Sequence, residues 1–238
     1  MKAIARFFIS LKTAFGFFFA FVVLAFIGSI LLPKNLAFFS GIDDIPLFRW
    51  LSDSNNLKLT WWIYTIILML ALLAISTIFC TVEAFLKRLS KKNLILKLSP
   101  QIMHMGVLFI MLGHLLTASI GFKMDVLIKK GEKKTVAERA TLYLKDIKVQ
   151  KDENGYDTDW EAKLLWSEDN EKTNERILRP VHPLYFGQIG LYFKSVTIEP
   201  DESALIRVCK DPGALWALIG GVLLSVGGLG FIYARFGA

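Results

Sequence analysis

Four long apolar segments constrain the fold more than any other feature of the sequence. They cover about residues 13–33, 59–82, 100–121 and 213–234. About 20 apolar residues are enough for a helix to cross a bilayer. Inside hydrocarbon every backbone N–H and C=O must be paired within the protein, so each segment is predicted to be a helix. With 54% hydrophobic residues over 238 positions, the whole chain is typical of a multi-pass membrane protein.

The basic residues lie at alternate ends of these segments. The N-terminal residues, the linker 83–97 and Arg235 hold nine basic residues and one acidic residue, whereas 122–212 holds 16 basic and 17 acidic residues. Lys and Arg are enriched on the cytoplasmic side of membrane proteins. We therefore predict that both termini and the linker are cytoplasmic and that 122–212 lies outside. The net charge of +7 reflects topology and does not indicate a nucleic-acid partner.

Residues 122–212 show the alternation of apolar and polar residues that is typical of β-strands. The alternation over 142–149 slips by one residue at Lys145-Asp146, which predicts a β-bulge. Asn154-Gly155 predicts a turn between two strands. Further strand-like runs cover 125–129, 160–166, 184–199 and 204–209.

Together these patterns predict a polytopic α-helical membrane protein with four transmembrane helices. A small β-rich extracytoplasmic domain is expected between the third and fourth helices. The expected domains are 1–121 for the N-terminal membrane domain, 122–212 for the β-rich domain, and 213–238 for the fourth helix with a short cytoplasmic tail.

Several residues indicate where the helices begin and end. Pro33 is expected to stop the first, and Ser99-Pro100 to cap and start the third. The linker 34–58 is amphipathic, which predicts a short helix lying on the membrane surface. Trp61-Trp62 is expected at the headgroup level, where the second span opens.

Two of the three histidines, His104 and His114, lie in the third apolar segment. An ionisable side chain inside a membrane span is costly and suggests a function. At ~100° and ~1.5 Å per residue, His114 lies about 80° around the helix and about 15 Å along it from His104. The two imidazoles therefore cannot bind one metal ion together. Each is either a haem or metal ligand, with a further ligand supplied by another helix, or a hydrogen-bonded residue. The third histidine, His182, is expected in a surface turn.

Glycines mark the faces on which the third and fourth helices can pack closely. Gly106 and Gly113 are seven residues apart, on the side of the third helix opposite His104. Glycines also recur every seven residues from Gly213 to Gly227. Small residues let membrane helices approach each other. We expect the third helix to pack within its own bundle through this face, with His104 pointing towards a partner.

The two cysteines, Cys80 and Cys209, are predicted on opposite sides of the membrane and so cannot pair. The sequence contains no CxxC, CxxCH, HExxH or GxSxG motif. These patterns exclude a dithiol oxidoreductase, a c-type cytochrome, a zincin protease and a serine hydrolase of the usual kinds.

Several short motifs occur in order along the segments. The first span ends in GSILLPKN, and the second runs from Thr60-Trp61-Trp62-Ile63 to Phe79-Cys80-Thr81. The third span contains His104-Met105-Gly106 and Leu112-Gly113, and the outside region contains Gly131-Glu132 and the stretches 182–187 and 192–194. In this order and at these spacings, the motifs resemble those of the ResB (CcsB-type) family of cytochrome c biogenesis proteins, System II. The outside domain is much shorter than that of many family members.

This resemblance implies a subunit of the bacterial inner membrane that exports haem b and presents it for attachment to apocytochrome c. It implies a CcsA-type haem-handling partner, with apocytochrome c and thiol-reducing proteins as further partners, and no catalysis by this chain alone. His104, at the HxG position, is implied as an axial ligand of the haem iron. The resemblance does not extend this role to His114, which is a second, weaker candidate only because it lies in the same span. The partner would supply the opposite ligand.

Two alternatives remain open at this point. The chain could be a scaffold that stabilises the partner without binding haem, with His104 only packed between helices. It could also be a proton or ion transporter that uses His104 and His114 as a relay. No further ionisable residue of the spans continues such a path, which disfavours the transporter.

Overall fold

A computed structural model describes residues 2–87, 94–137, 140–151, 153–154, 157–168, 174–198 and 200–236. The chain forms two compact units. The first, here called the membrane unit, comprises Met1–Ile42, Pro46–Ser119 and Pro212–Ala238. The second, the β unit, comprises Asp43–Ile45 and Ile120–Asp211.

The membrane unit consists of helices and their connections in the part that the structure describes. Its helices are α1 (Lys2–Ile9), α2 (Leu11–Lys34), α3 (Leu36–Phe39), α4 (Leu47–Ser54), α5 (Leu57–Lys87), α6 (Leu94–Ile120) and α7 (Ala214–Phe236). Four segments are long and apolar enough to cross a membrane: Leu11–Lys34, Leu57–Ala84, Leu98–Ile120 and Ala214–Phe236. These segments confirm the four predicted spans.

The helix boundaries predicted at two prolines have different outcomes. α2 ends at Lys34, one residue after Pro33, so the predicted end of the first span is confirmed to within a residue; the Asn35 backbone N–H there donates to the Leu32 carbonyl. The start of the third span predicted at Ser99-Pro100 is wrong. α6 begins at Leu94, so Pro100 lies inside it rather than in its first turn. A proline removes one hydrogen bond and need not end a helix when neighbouring helices pack against the segment. The sequence signal at Ser99-Pro100 therefore marked a helix interior.

α1 and α2 are separated by a break at Ser10, and α5 satisfies the carbonyls that the break exposes. Ser76 Oγ donates to the Phe8 carbonyl at 2.6 Å, and Cys80 Sγ lies 3.7 Å from the Ile9 carbonyl oxygen. Phe8 also stacks on Phe79 with ring centroids 5.7 Å apart. Because the last carbonyls of a helix lack intrahelical partners, these contacts stabilise the break.

The amphipathic linker forms the predicted short helix, α4, and Trp50 and Leu51 on its apolar face are buried within the protein. Trp50 is buried and stacks on Phe39 at 5.7 Å, and Phe39 in turn contacts Trp62. The ring of Trp62 fills the space beside Gly28 that a Cβ would need. Trp61 is exposed, whereas Trp62 is buried between helices.

α6 and α7 pack against each other through the predicted glycine faces. A Cβ on Gly106 would lie 2.7 Å from the Gly220 carbonyl oxygen, and one on Gly113 would lie 2.7 Å from that of Gly213. Phe109 stacks on Trp216 with ring centroids 5.7 Å apart. The seven-residue glycine spacing is thereby confirmed as a helix-packing signal.

The β unit contains two four-stranded antiparallel sheets among its described residues. The strands are β1 (Phe122–Lys129), β2 (Lys133–Ala137), β3 (Ala140–Lys151), β4 (Asp157–Glu168), β5 (Asn174–Leu178), β6 (Leu184–Phe186), β7 (Ile189–Thr197) and β8 (Ser203–Lys210). One sheet has the order β1-β8-β7-β6 and the other β2-β3-β4-β5. The β-rich region between the third and fourth spans agrees with the predicted fold class.

Apolar residues from both sheets share one core. Leu142, Leu164 and Ile206 are at most 1% exposed, and Trp166 of β4 stacks on Phe186 of β6 at 4.7 Å. The register of β3 with β4 shifts between Leu144 and Asp146, which confirms the bulge predicted there. The turn predicted at Asn154-Gly155 falls between these strands, but Gly155 lies outside the described residues. β2 and β5 have no counterpart in the sequence prediction.

Candidate functional site

His104 lies in α6 and is half-buried within the membrane unit. Its Nδ1 is 3.4 Å from Oγ1 of Thr81, near the end of α5. The sequence predicts that His104 points towards a partner. In the structure, one edge of the imidazole contacts the second span of the same chain. The glycine face of α6 packs on α7, so α6 is held on two sides.

Thr81 is itself bonded to the backbone of its helix. Its Oγ1 lies 2.8 Å from the Thr77 carbonyl oxygen, one turn earlier in α5. Sequence reasoning did not single out Thr81, although it lies in the Phe79-Cys80-Thr81 motif. The available signal was a hydroxyl near the C-terminal end of one predicted span and a histidine near the N-terminal end of the next, which places the two side chains at a similar depth.

Gln101 adds a second polar group one helical turn before His104. The residue is buried, and its Oε1 has no hydrogen-bond partner among the residues that the structure describes. A buried amide oxygen without a partner is costly. Gln101 and His104 together make this part of α6 more polar than the rest of the span.

His114 has a different environment from His104. Its side chain is exposed on α6. At ~1.5 Å per residue it lies about 15 Å further along the helix than His104. The structure therefore does not bring the two histidines together, in agreement with the helical geometry derived from the sequence.

His182 lies in the β unit, exposed in a turn. Its backbone N–H donates to the Arg179 carbonyl at 3.2 Å. On the following hairpin, Tyr185 and Tyr192 lie with their hydroxyl oxygens 3.2 Å apart. The hydrogen bond with Tyr185 raises the pKa of Tyr192 to about 12. The Tyr192 phenol is therefore neutral at physiological pH. His182 is a surface residue, as expected.

Neither cysteine has the surroundings of a reactive thiol. Cys80 packs against the end of α1, as described above. Cys209 lies in β8, where burial raises the pKa of its thiol. The thiolate is the nucleophilic form, so a raised pKa lowers the reactivity of Cys209 at neutral pH. Both residues are free thiols in this structure.

The donor set available around His104 is a single imidazole. No cluster of three or more His, Cys, Asp or Glu side chains that could hold a metal ion occurs in the described ranges. A lone imidazole does not make an all-protein metal site, but it suits one axial position of a haem iron. The chemistry of the site thus fits a ligand that brings its own equatorial donors.

Comparison with known proteins gives a family match and similarities to solved structures. The model of the ResB-like family matches residues 88–205. The chain is also similar in structure to the cytochrome c heme lyase CcmF, with 14% sequence identity and a TM-score of 0.45. That alignment covers 69% of this chain and 29% of the heme lyase, so the chain spans less than a third of that protein. No curated protein sequence matches the chain.

Proposed function

Because this chain belongs to the ResB-like family, a family of cytochrome c biogenesis proteins, we propose that it is a haem-handling subunit of the maturation machinery. In this role the membrane unit holds haem b as its cargo through His104. The complex that it joins exports haem and presents it for covalent attachment to apocytochrome c. The chain binds the haem and orients it, and the complex as a whole acts as the holocytochrome c synthase.

The observation that supports this proposal most directly is the half-buried imidazole of His104 in a membrane-spanning helix. Ionisable residues in membrane spans are rare and mark functional sites. The ring is held at one edge by Thr81 at 3.4 Å, which limits how it can rotate. Histidine is a usual axial ligand of haem iron.

A partner subunit completes the site in this proposal. Haem iron accepts two axial ligands, and the chain has only two histidines besides His104. His114 lies about 15 Å further along the same helix, and His182 belongs to the other unit. The resemblance to the family implies that a CcsA-type subunit supplies the opposite ligand. The exposed side chain of His114 supports such a partner, because an imidazole facing lipid is costly.

The first test compares two histidine variants in the complex. The chain, co-expressed with a CcsA-type subunit and purified, is expected to show a haem Soret band. His104→Ala is expected to lose most of the bound haem, whereas His114→Ala is the matched control on the same helix and retains it. Added imidazole is expected to restore part of the haem in His104→Gly.

Two results would contradict the proposal. A wild-type complex that contains no haem would contradict the proposed haem-handling function. A His104→Ala complex with the haem content of wild type would contradict the assignment of His104 as a haem ligand.

A scaffold function is the second candidate, and the contact between His104 and Thr81 also suits it. In that case His104 only joins α6 to α5, and the chain stabilises its partner. His104→Ala would then leave cytochrome c maturation intact, while deletion of 122–212 would abolish it. Measuring holocytochrome c in cells that express each variant separates the two functions.

A further inference from the structure

Thr81 contacts the proposed haem ligand from the neighbouring helix. We propose that Thr81 is a positioning residue that holds His104 in the tautomer whose Nε2 can bind iron. The proposal rests on the function proposed above, because it concerns how His104 is prepared for its ligand. Two distances carry it: 3.4 Å from Thr81 Oγ1 to His104 Nδ1, and 2.8 Å from Thr81 Oγ1 to the Thr77 carbonyl oxygen.

The two distances determine which atom donates in each contact. A hydroxyl has one proton, and a carbonyl oxygen can only accept. The 2.8 Å contact with the Thr77 carbonyl therefore uses the proton of Thr81. Towards His104, Thr81 then presents a lone pair. The 3.4 Å contact is a hydrogen bond only when Nδ1 carries the proton.

This assignment leaves the other ring nitrogen free to act as a ligand. In a neutral imidazole one nitrogen carries the proton and the other carries the lone pair. With the proton on Nδ1, the lone pair of His104 lies on Nε2. Histidines that bind metals commonly donate their other N–H to a fixed acceptor, which sets the tautomer and the ring orientation. Thr81 is that acceptor here.

The backbone of α5 strengthens this arrangement. By donating its own proton to the Thr77 carbonyl, the Thr81 hydroxyl becomes a better acceptor for Nδ1–H. The hydroxyl cannot turn to donate to His104 without losing that bond. On its other side, α6 is held against α7 through Gly106 and Gly113. The position of the imidazole is thus set from two neighbouring helices before haem arrives.

The first experiment measures the tautomer in the haem-free, full-length protein. The chain carries ¹⁵N-labelled histidine, and the His104 signals are identified by their loss in His104→Ala. Nitrogen chemical shifts should show a protonated Nδ1 and an unprotonated Nε2 in wild type. Thr81→Val should shift the population towards protonated Nε2. A wild-type His104 protonated on Nε2 would overturn the proposal, as would a Thr81→Val spectrum identical to wild type.

Two control variants separate the hydroxyl from packing. Thr81→Ser keeps a hydroxyl and should keep the wild-type tautomer. Thr77→Val removes a neighbouring hydroxyl that bonds the Leu73 carbonyl at 2.8 Å, but keeps the backbone carbonyl that Thr81 uses. It should also keep the wild-type tautomer. If Thr81→Val does not fold, the wild-type and Thr81→Ser spectra still decide the question.

The second experiment measures haem in the complex with the partner subunit. Thr81→Val is expected to lower haem affinity about tenfold, the lower end of what loss of a partner to a metal-binding histidine costs. It should also change the low-spin ferric EPR signal, which reports the axial ligands. Thr81→Ser and Thr77→Val should stay within about twofold of wild type in affinity.

The outcomes distinguish a failure of this proposal from a failure of the proposed function. A wild-type complex without haem contradicts the proposed function, and the tautomer measurement still tests whether Thr81 sets the tautomer of His104. If wild type binds haem through His104 and Thr81→Val matches it in tautomer, affinity and EPR signal, the role of Thr81 alone is wrong.

Discussion

Asp125 and Arg207 show how single charged residues contribute to the β unit. They are register partners on β1 and β8, and two N–H groups of Arg207 donate to the two carboxylate oxygens at 2.7 Å each. The hydrogen bonds from Arg207 lower the pKa of the Asp125 carboxyl. The Arg207 side chain is 36% exposed and the Asp125 side chain is 39% exposed, so solvent weakens the ion pair.

We therefore expect a modest, pH-dependent effect of Asp125→Asn on the β unit. The folded carboxyl has the lower pKa, so its contribution to stability is present at neutral pH. That contribution is lost as the pH falls through the lowered pKa. At neutral pH the backbone amides of β1 and β8 should exchange hydrogen about two- to fivefold faster in the variant.

Hydrogen exchange followed by mass spectrometry tests this expectation in the full-length protein. The difference from wild type should vanish well below about pH 4, where carboxyls are protonated. Glu153→Gln, an exposed turn residue, serves as the control and should match wild type at both pH values. An Asp125→Asn difference that persisted unchanged in acid would contradict the assignment of the effect to this ion pair.

At the scale of elements, adjacent glycines of α7 have different neighbours. A Cβ at Gly220 would lie 2.6 Å from the Gly106 carbonyl oxygen, whereas nothing lies within 4 Å of a Cβ at Gly221. The backbones of α6 and α7 are therefore in contact only on the Gly220 side. Substitutions at these two neighbouring positions should have opposite consequences.

Gly220→Ala should destabilise the protein by about 1–3 kcal/mol, because the helices must move apart to admit the methyl group. Gly221→Ala should leave stability unchanged or raise it by up to about 1 kcal/mol, because alanine loses less backbone entropy in a helix. Thermal unfolding in one detergent, followed by circular dichroism, compares the pair. Equal midpoints for the two variants would show that α6 and α7 are not packed as described.

At the scale of the whole molecule, the distribution of basic residues predicts which way the chain crosses the membrane. The basic residues at alternate ends of the spans support cytoplasmic termini and an extracytoplasmic β unit. Alkaline phosphatase fused after Lys210 should then be active, because it folds only outside the cytoplasm. A green fluorescent protein fused after Arg235 should fluoresce. The reverse pattern of activities would contradict the proposed orientation in the bacterial inner membrane.

A control addresses the cause of the orientation. Neutral substitutions of the linker residues Lys87, Arg88, Lys91, Lys92 and Lys97 should lower the activity of the alkaline phosphatase fusion, because the orientation signal weakens. Neutral substitutions of an equal number of lysines in the β unit should not, since its net charge is near zero.

The sequence by itself determined those features that depend on neighbouring residues. The four spans follow from the length of the apolar segments, and the bulge after Leu144 follows from a slip in a two-residue period. The close packing of α6 on α7 follows from glycines repeated on one helix face. β2 and β5 have no such signal, because their apolar residues, Val136-Ala137 and Ile177-Leu178, are adjacent and do not alternate with polar ones.

Only the tertiary structure decided which faces meet. α4 is amphipathic whether its apolar face covers a membrane or the protein, and the structure buries Trp50 against Phe39. Thr81 and His104 are 23 residues apart on different helices. Their contact depends on the rotation of α6 about its axis, which is fixed where Gly106 and Gly113 meet α7. The sequence thus identified the histidine, whereas the packing of three helices decided which of its nitrogens is held.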